Sequence, residues 1–180
     1  MAFLLSRYFG ARSIPVEDVR SALWTEGVDE QSYAAYPGAI LEQYKIYVEM
    51  ADRISARRAL ANAFFLSLNT ATLTAGAALW RASVLPTWVL VLPLALLLVQ
   101  TAAWFWLVRS YRQLNTAKYI VIGMLEEKLP ASPYWRAEWK ALGEGKDKAL
   151  YWPLTHLEQW LPVTLAVLYV FGFVVAVVTG

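Results

Sequence analysis

The chain has 180 residues, 58% of them hydrophobic and 17% charged, with a formal charge of +2 and no cysteine. A soluble domain carries about 45–50% apolar and about 25% charged residues, so the balance is that of a membrane protein. A net charge this small argues against a nucleic-acid partner, and the missing thiols exclude disulfides, thiolate catalysis and cysteine-ligated metals.

Met1 to Leu5 is apolar, but Arg7 follows at once. That run is too short for a signal-peptide core, so insertion rests on internal segments. Ser13-Ile14-Pro15 followed by Glu17 and Asp18 reads as a helix start, with an early proline and acids in the first turn. This helix runs to about Trp24. Gly27 and then Tyr36-Pro37-Gly38 break the chain and close an N-terminal cytoplasmic segment, residues 1–38. From Ala39, the positions Leu41, Tyr44, Val48, Ala51, Ser55 and Arg58 recur at three and four residues, a helical stripe leading into the first span.

Leu60 to Trp80, Ala82 to Val108 and Leu161 to Gly180 contain no charged residue. Roughly 20 apolar residues at 1.5 Å each cross a ~30 Å hydrocarbon core, and there the backbone must satisfy itself as helix. Spans are therefore expected at about 60–80, 84–108 and 159–180. Pro162 and Gly172 lower the helix propensity of the third, which leaves a re-entrant or interfacial helix as its alternative. After the second span, Leu114, Lys118, Val121, Leu125 and Leu129 continue the helical spacing up to Pro130. Residues 39–130 thus form one long helical hairpin whose cytoplasmic ends pack antiparallel. Residues 131–158 read as a cytoplasmic helix around Tyr134–Leu142, broken at Gly143-Glu144-Gly145, and a loop returning to the membrane. The fold class is all-α: a polytopic helical membrane protein with three transmembrane helices and a cytoplasmic antiparallel helical extension.

Basic residues set the orientation. Lys45, Arg53, Arg57 and Arg58 precede the first span, Arg109, Arg112 and Lys118 follow the second, and only Arg81 lies between them. Lys140, Lys146 and Lys148 precede the third span and nothing basic follows it. The N-terminus is expected in the cytoplasm and the C-terminus outside. Trp80, Trp88, Trp104, Trp106, Trp152 and Trp160 lie near span ends, as an aromatic belt would place them.

Candidate site residues fall into two groups. In the first span Asn62, Asn69 and Gly76 are seven apart, with Thr72 beside them. Amide and small residues on one face permit close helix approach and interhelical hydrogen bonds, or line an aqueous path once copies assemble. Arg53, Arg57, Arg58, Arg109 and Arg112 are basic residues at the membrane surface, each able to gain about 1 kcal/mol from anionic lipid. Arg57 and Arg58 are read as lipid-facing anchors, with pairing to Glu126 or Glu127 as the alternative. No Asp, Glu, Lys or Arg lies within a span, which argues against an ion-coupled transporter. His156 and Glu158 make a single-imidazole pair, a poor metal site, and no phosphate loop or nucleophile pattern is visible. No catalytic residue, metal or cofactor is expected, and the chain is read as not an enzyme.

Two segments carry a resemblance. The first comprises Leu41-Glu42-Gln43-Tyr44-Lys45, Tyr47-Val48-Glu49, Ser55-Ala56-Arg57-Arg58, Ala61-Asn62, Phe64-Phe65-Leu66 and Asn69-Thr70. The second comprises Tyr111-Arg112, Leu114-Asn115, Ala117-Lys118, Val121-Ile122, Leu125-Glu126, Leu129-Pro130, Tyr134 and Glu138-Trp139. Together they resemble the RipR-family small bacterial integral membrane proteins and the wider SLATT group of two-transmembrane effector domains, over roughly residues 40–140. The resemblance marks Tyr44, Tyr111, Asn115, Lys118, Glu126, Pro130 and Trp139 as pattern residues of the cytoplasmic part. It implies an inner-membrane effector of bacterial conflict systems, including anti-phage defence, that oligomerises and breaches the membrane. It also implies a cytoplasmic partner such as a nucleotide-signal sensor. The third span is an addition to that two-span pattern. The rival reading is a membrane scaffold, motivated by the large cytoplasmic share and by Trp135 and Trp139 among charges. A constitutive channel would need a charged ring or carbonyl filter, and the sequence offers neither.

Overall fold

The computed structural model of the protein describes residues 15–29, 34–81, 86–146 and 154–179. The apolar run at Met1–Leu5, Ser13, Ile14, Lys148, Trp152, Gly180 and the side chain of His156 lie outside the described residues. Those described form helices and turns with no strand. In order they are α1 (Val16–Leu23), α2 (Tyr36–Arg81), a 3-10 turn at Thr87–Leu90 leading into α3 (Val91–Glu126), a π-helical turn at Pro133–Glu138 continued by one α-helical turn at Trp139–Ala141, a 3-10 turn at Gly143–Gly145, and α4 (Leu154–Thr179).

Pro15 stands at the N-cap of α1, with Glu17 and Asp18 in its first turn. Tyr36-Pro37-Gly38 does not break the chain: α2 begins at Tyr36. Proline costs nothing in a first turn, because the N–H it lacks has no intrahelical acceptor there. From that start α2 runs unbroken for 46 residues, about 69 Å at 1.5 Å per residue. The part before Leu60 therefore extends roughly 36 Å beyond the span. The same arithmetic makes the 36-residue α3 about 54 Å long.

Three helices are long and apolar enough to cross a membrane. The third is a continuous helix with Pro162 inside it. Pro162 cannot donate to the Glu158 carbonyl, yet its ring is among the most deeply buried side chains, so packing holds the helix through the lost bond. The helices lie as a row with α3 in the middle. α2 packs along one side of α3 and α4 along the other, while α4 makes no backbone-level contact with α2.

Ahead of the first span, the inward stripe of α2 is Ile40, Tyr44, Val48, Ala51, Ile54, Ser55 and Arg58, with Leu41 turned outward. On α3 the buried residues are Ile120 and then Ile122 through Glu126 without interruption, while Leu114 is exposed. A run of five consecutive buried residues exceeds what one helical face can supply. Partners on two sides cause it: α2 on one, and on the other the segment that turns back after Glu126.

Candidate functional site

The polar face of the first span is turned toward α3 within the chain. Asn62 Oδ1 accepts a 2.8 Å bond from the indole Nε1 of Trp104, whose ring stacks on Phe65 at 6.0 Å. Trp104 is only 1% exposed, so it is a seam residue rather than a member of the surface belt. Trp80, Trp88, Trp106 and Trp160 are exposed and fit that belt. Further along, Gln100 Nε2 donates to Thr72 Oγ1 at 3.0 Å. At Gly76 a Cβ would lie 3.2 Å from Pro93, so glycine there lets the two helices close.

Asn69 sits in the middle of this seam at 1% exposure. Its amide nitrogen donates to the Phe65 carbonyl at 2.8 Å, while Oδ1 is buried with no partner among the described residues. Gln100, 6% exposed, repeats the pattern, its Oε1 likewise unpartnered. Thr101 beside it is buried and returns its hydroxyl to the Leu97 carbonyl. Asn62, Asn69, Thr72 and Gly76 thus serve helix packing in the single chain. They could line water only if α2 and α3 parted.

The surface arginines are mostly engaged. Arg53 Nη2 pairs with Glu49 Oε1 at 2.7 Å, and the Arg109 guanidinium lies 6.0 Å from the Trp106 ring centroid. Arg58 reaches α4 rather than Glu126: its Nε meets Glu158 Oε2 at 3.2 Å. Arg112 Nη1 donates to Gln159 Oε1 at 2.9 Å. Together these two arginines fasten the first turns of α4 to both helices of the hairpin. Arg57 is exposed.

At the end of the hairpin away from the apolar spans Glu126 is the centre. It is 1% exposed and each carboxylate oxygen accepts two bonds. Oε1 takes Tyr44 Oη and the Tyr134 amide, both at 3.1 Å. Oε2 takes Ser132 Oγ at 2.6 Å and the Trp135 amide at 2.9 Å. The amides belong to the start of the π-helical turn, whose N–H groups have no partner within it. A carboxylate from α3 therefore caps a neighbouring element. Burial, reinforced by the Glu126 bond, pushes the Tyr44 phenol up to about 12. Above this joint Trp135 lies on Gly123, where a Cβ would come within 2.5 Å of the ring.

The other pattern residues are distributed around this joint. Lys118 Nζ lies 5.0 Å from the Tyr47 ring centroid. Trp139 packs its ring tip against Gly145, whose φ is +71°. Asn115 Oδ1 is buried without a partner among the described residues. Tyr111 is half-buried and Pro130 exposed. Glu127 is held by Arg20 of α1 through two bonds of 2.6 and 3.0 Å. That bond is the main cause holding the Glu127 carboxyl below its ordinary range. Sequence reasoning missed Gln100, Thr101, the Trp104–Asn62 bond and the Arg20–Glu127 pair. Gln100 alone carried a signal, as an amide inside an otherwise apolar span.

Among the described residues no group of three or more His, Asp or Glu side chains is placed to hold a metal ion. The model of the octameric membrane protein family (8xMP) matches residues 41–178. No curated protein and no solved structure matches the chain.

Proposed function

Because the chain belongs to the octameric membrane protein family, we propose that it works as a homo-oligomer in the membrane, eight copies being the number that family's name carries. The assembly is a pore-forming or membrane-perturbing effector. The SLATT and RipR resemblance adds the setting: a multi-pass protein of the bacterial inner membrane, N-terminus in the cytoplasm and C-terminus outside, acting in conflict or anti-phage defence. It is not an enzyme and uses no cofactor.

One observation supports the assembly most directly. Ser67, Thr70 and Thr74 are exposed on α2, as are Ala63 and Ala78 along the same side. At 100° per residue these positions lie about 100–180° round the helix from the Asn62–Asn69–Gly76 seam. The Thr70 and Thr74 hydroxyls bond the carbonyls four residues back, which lowers their cost in lipid without covering them. Small and hydroxyl residues in such a row allow another helix to approach closely. The outer face of α2 is therefore the surface for a neighbouring copy, and its hydroxyls are the groups a water path would use.

The test is oligomeric mass in detergent together with ion leakage from liposomes. Thr70→Leu with Thr74→Leu should reduce the mass or the leakage, whereas Asn62→Leu with Asn69→Leu should act through stability. Mass and leakage both indifferent to the outer-face pair would sink the reading. A scaffold is the second reading, favoured by Tyr134 and Trp139, both exposed on the cytoplasmic segment. Growth on overexpression separates the two: an effector slows it and a scaffold leaves it unchanged.

A further inference from the structure

On the cytoplasmic side, α2, α3 and the π-helical turn enclose a cleft of about 580 Å³, within the range of pockets that hold small molecules. Tyrosines from all three elements face it: Tyr44 on α2, Tyr119 on α3 and Tyr134 on the turn. Tyr44 commits its hydroxyl to Glu126. The hydroxyls of Tyr119 and Tyr134 make no hydrogen bond among the described residues.

The charges around the cleft do not cancel. Lys45 is taken by Glu42 at 2.7 Å, and Glu49 by Arg53 at 2.7 Å. Asp52, between them and the membrane, has no ion-pair partner among the described residues. Glu138 is near enough to act on Tyr119. Burial first, then the charges of Glu138, Tyr134 and Asp52, holds that phenol above its ordinary range, with Arg58 pulling the other way. A phosphate entering here would meet carboxylate. A cation would meet a carboxylate without a partner among tyrosine side chains, a combination that favours ammonium and guanidinium groups.

We propose that this cleft binds an organic cation, an alkylammonium or guanidinium group, with Asp52 as its counter-ion and the Tyr119 and Tyr134 rings as its walls. The inference does not depend on whether the assembly perturbs membranes. Such a group is available from a free polyamine or from a lysine or arginine of a neighbouring copy.

Equilibrium dialysis of radiolabelled spermidine against the full chain in detergent tests it, with ATP as the opposite-charge control. Saturable spermidine binding should weaken about tenfold in Asp52→Asn and in Tyr119→Leu, and stay unchanged in Glu17→Gln on α1. Circular dichroism checks that each variant keeps its helices. If Asp52→Asn leaves the oligomeric mass intact, the cation is a free solute. If Asp52→Asn instead lowers the mass, and the wild type takes up spermidine only after dissociation, the neighbouring copy supplies it. Either result supports a cation site. Wild-type binding that neither variant weakens would overturn it. So would ATP displacing spermidine from the cleft, or no saturable uptake by either the assembled or the dissociated protein.

Discussion

The α2–α3 hairpin treats two of its buried polar positions, Glu126 and the mid-span amides, differently. At the end away from the spans Glu126 receives four hydrogen bonds and leaves no oxygen unmet. In the span, Asn69 and Gln100 satisfy their amide nitrogens and leave a carbonyl oxygen each without a donor among the described residues. An unmet buried acceptor costs on the order of 1–3 kcal/mol, and a satisfied charge-assisted set contributes more than neutral bonds do. The joint at Glu126 is therefore fully satisfied, whereas the mid-span seam carries two unmet acceptors.

The largest effect should come from removing the joint. Glu126→Ala strands two amides and two hydroxyls and should cost about 3 kcal/mol. It would be read as earlier thermal unfolding in detergent and new protease cleavage within residues 131–146. A variant as stable as wild type would break the contrast. Next is Gly123→Ala, whose methyl collides with the Trp135 ring and should cost about 1–3 kcal/mol, with a shift in tryptophan emission as that ring moves outward.

Gln100→Met sharpens the contrast by its sign. It removes an unmet oxygen at nearly constant volume and should leave stability unchanged or raise it by up to about 1 kcal/mol. A loss larger than that would mean the seam is as well satisfied as the joint. The smallest effect concerns α1. Arg20 depresses the Glu127 carboxyl, so its contribution is complete above the ordinary glutamate value near about 4.3 and disappears as pH falls through the lower folded value. Amide protection over residues 16–23, measured against the intrinsic exchange rate at each pH, should fall only in that acid window, and protection unchanged across it would show that the ion pair does not dock α1.

The spans were legible because their signal is length and the absence of charge, which needs no knowledge of neighbours. The cytoplasmic halves were legible as helices by periodicity, but the faces were less so. Leu41 was expected inward and Ile40 takes that place, a shift of one residue that spacing alone cannot settle. Tyr36-Pro37-Gly38 misled because the same three residues suit a break and a first turn equally well. The Asn62–Asn69–Gly76 face was found as a face, but periodicity does not say whether a partner lies in the same chain or in another. Glu126 was picked out by family resemblance. Its task could not be, since two of its four donors are backbone amides, and an amide leaves no mark in the sequence.

The placement of α4 has a consequence for the order of biosynthesis. Everything α4 rests on, the far side of α3 together with Arg58 and Arg112, is translated before α4 itself. The ribosome thus delivers the third helix to a berth already built, and its two polar fasteners wait near its first turns. α2, the oldest of the three in the membrane, is never covered by the youngest, so its outer face is available to other copies from the moment the hairpin closes.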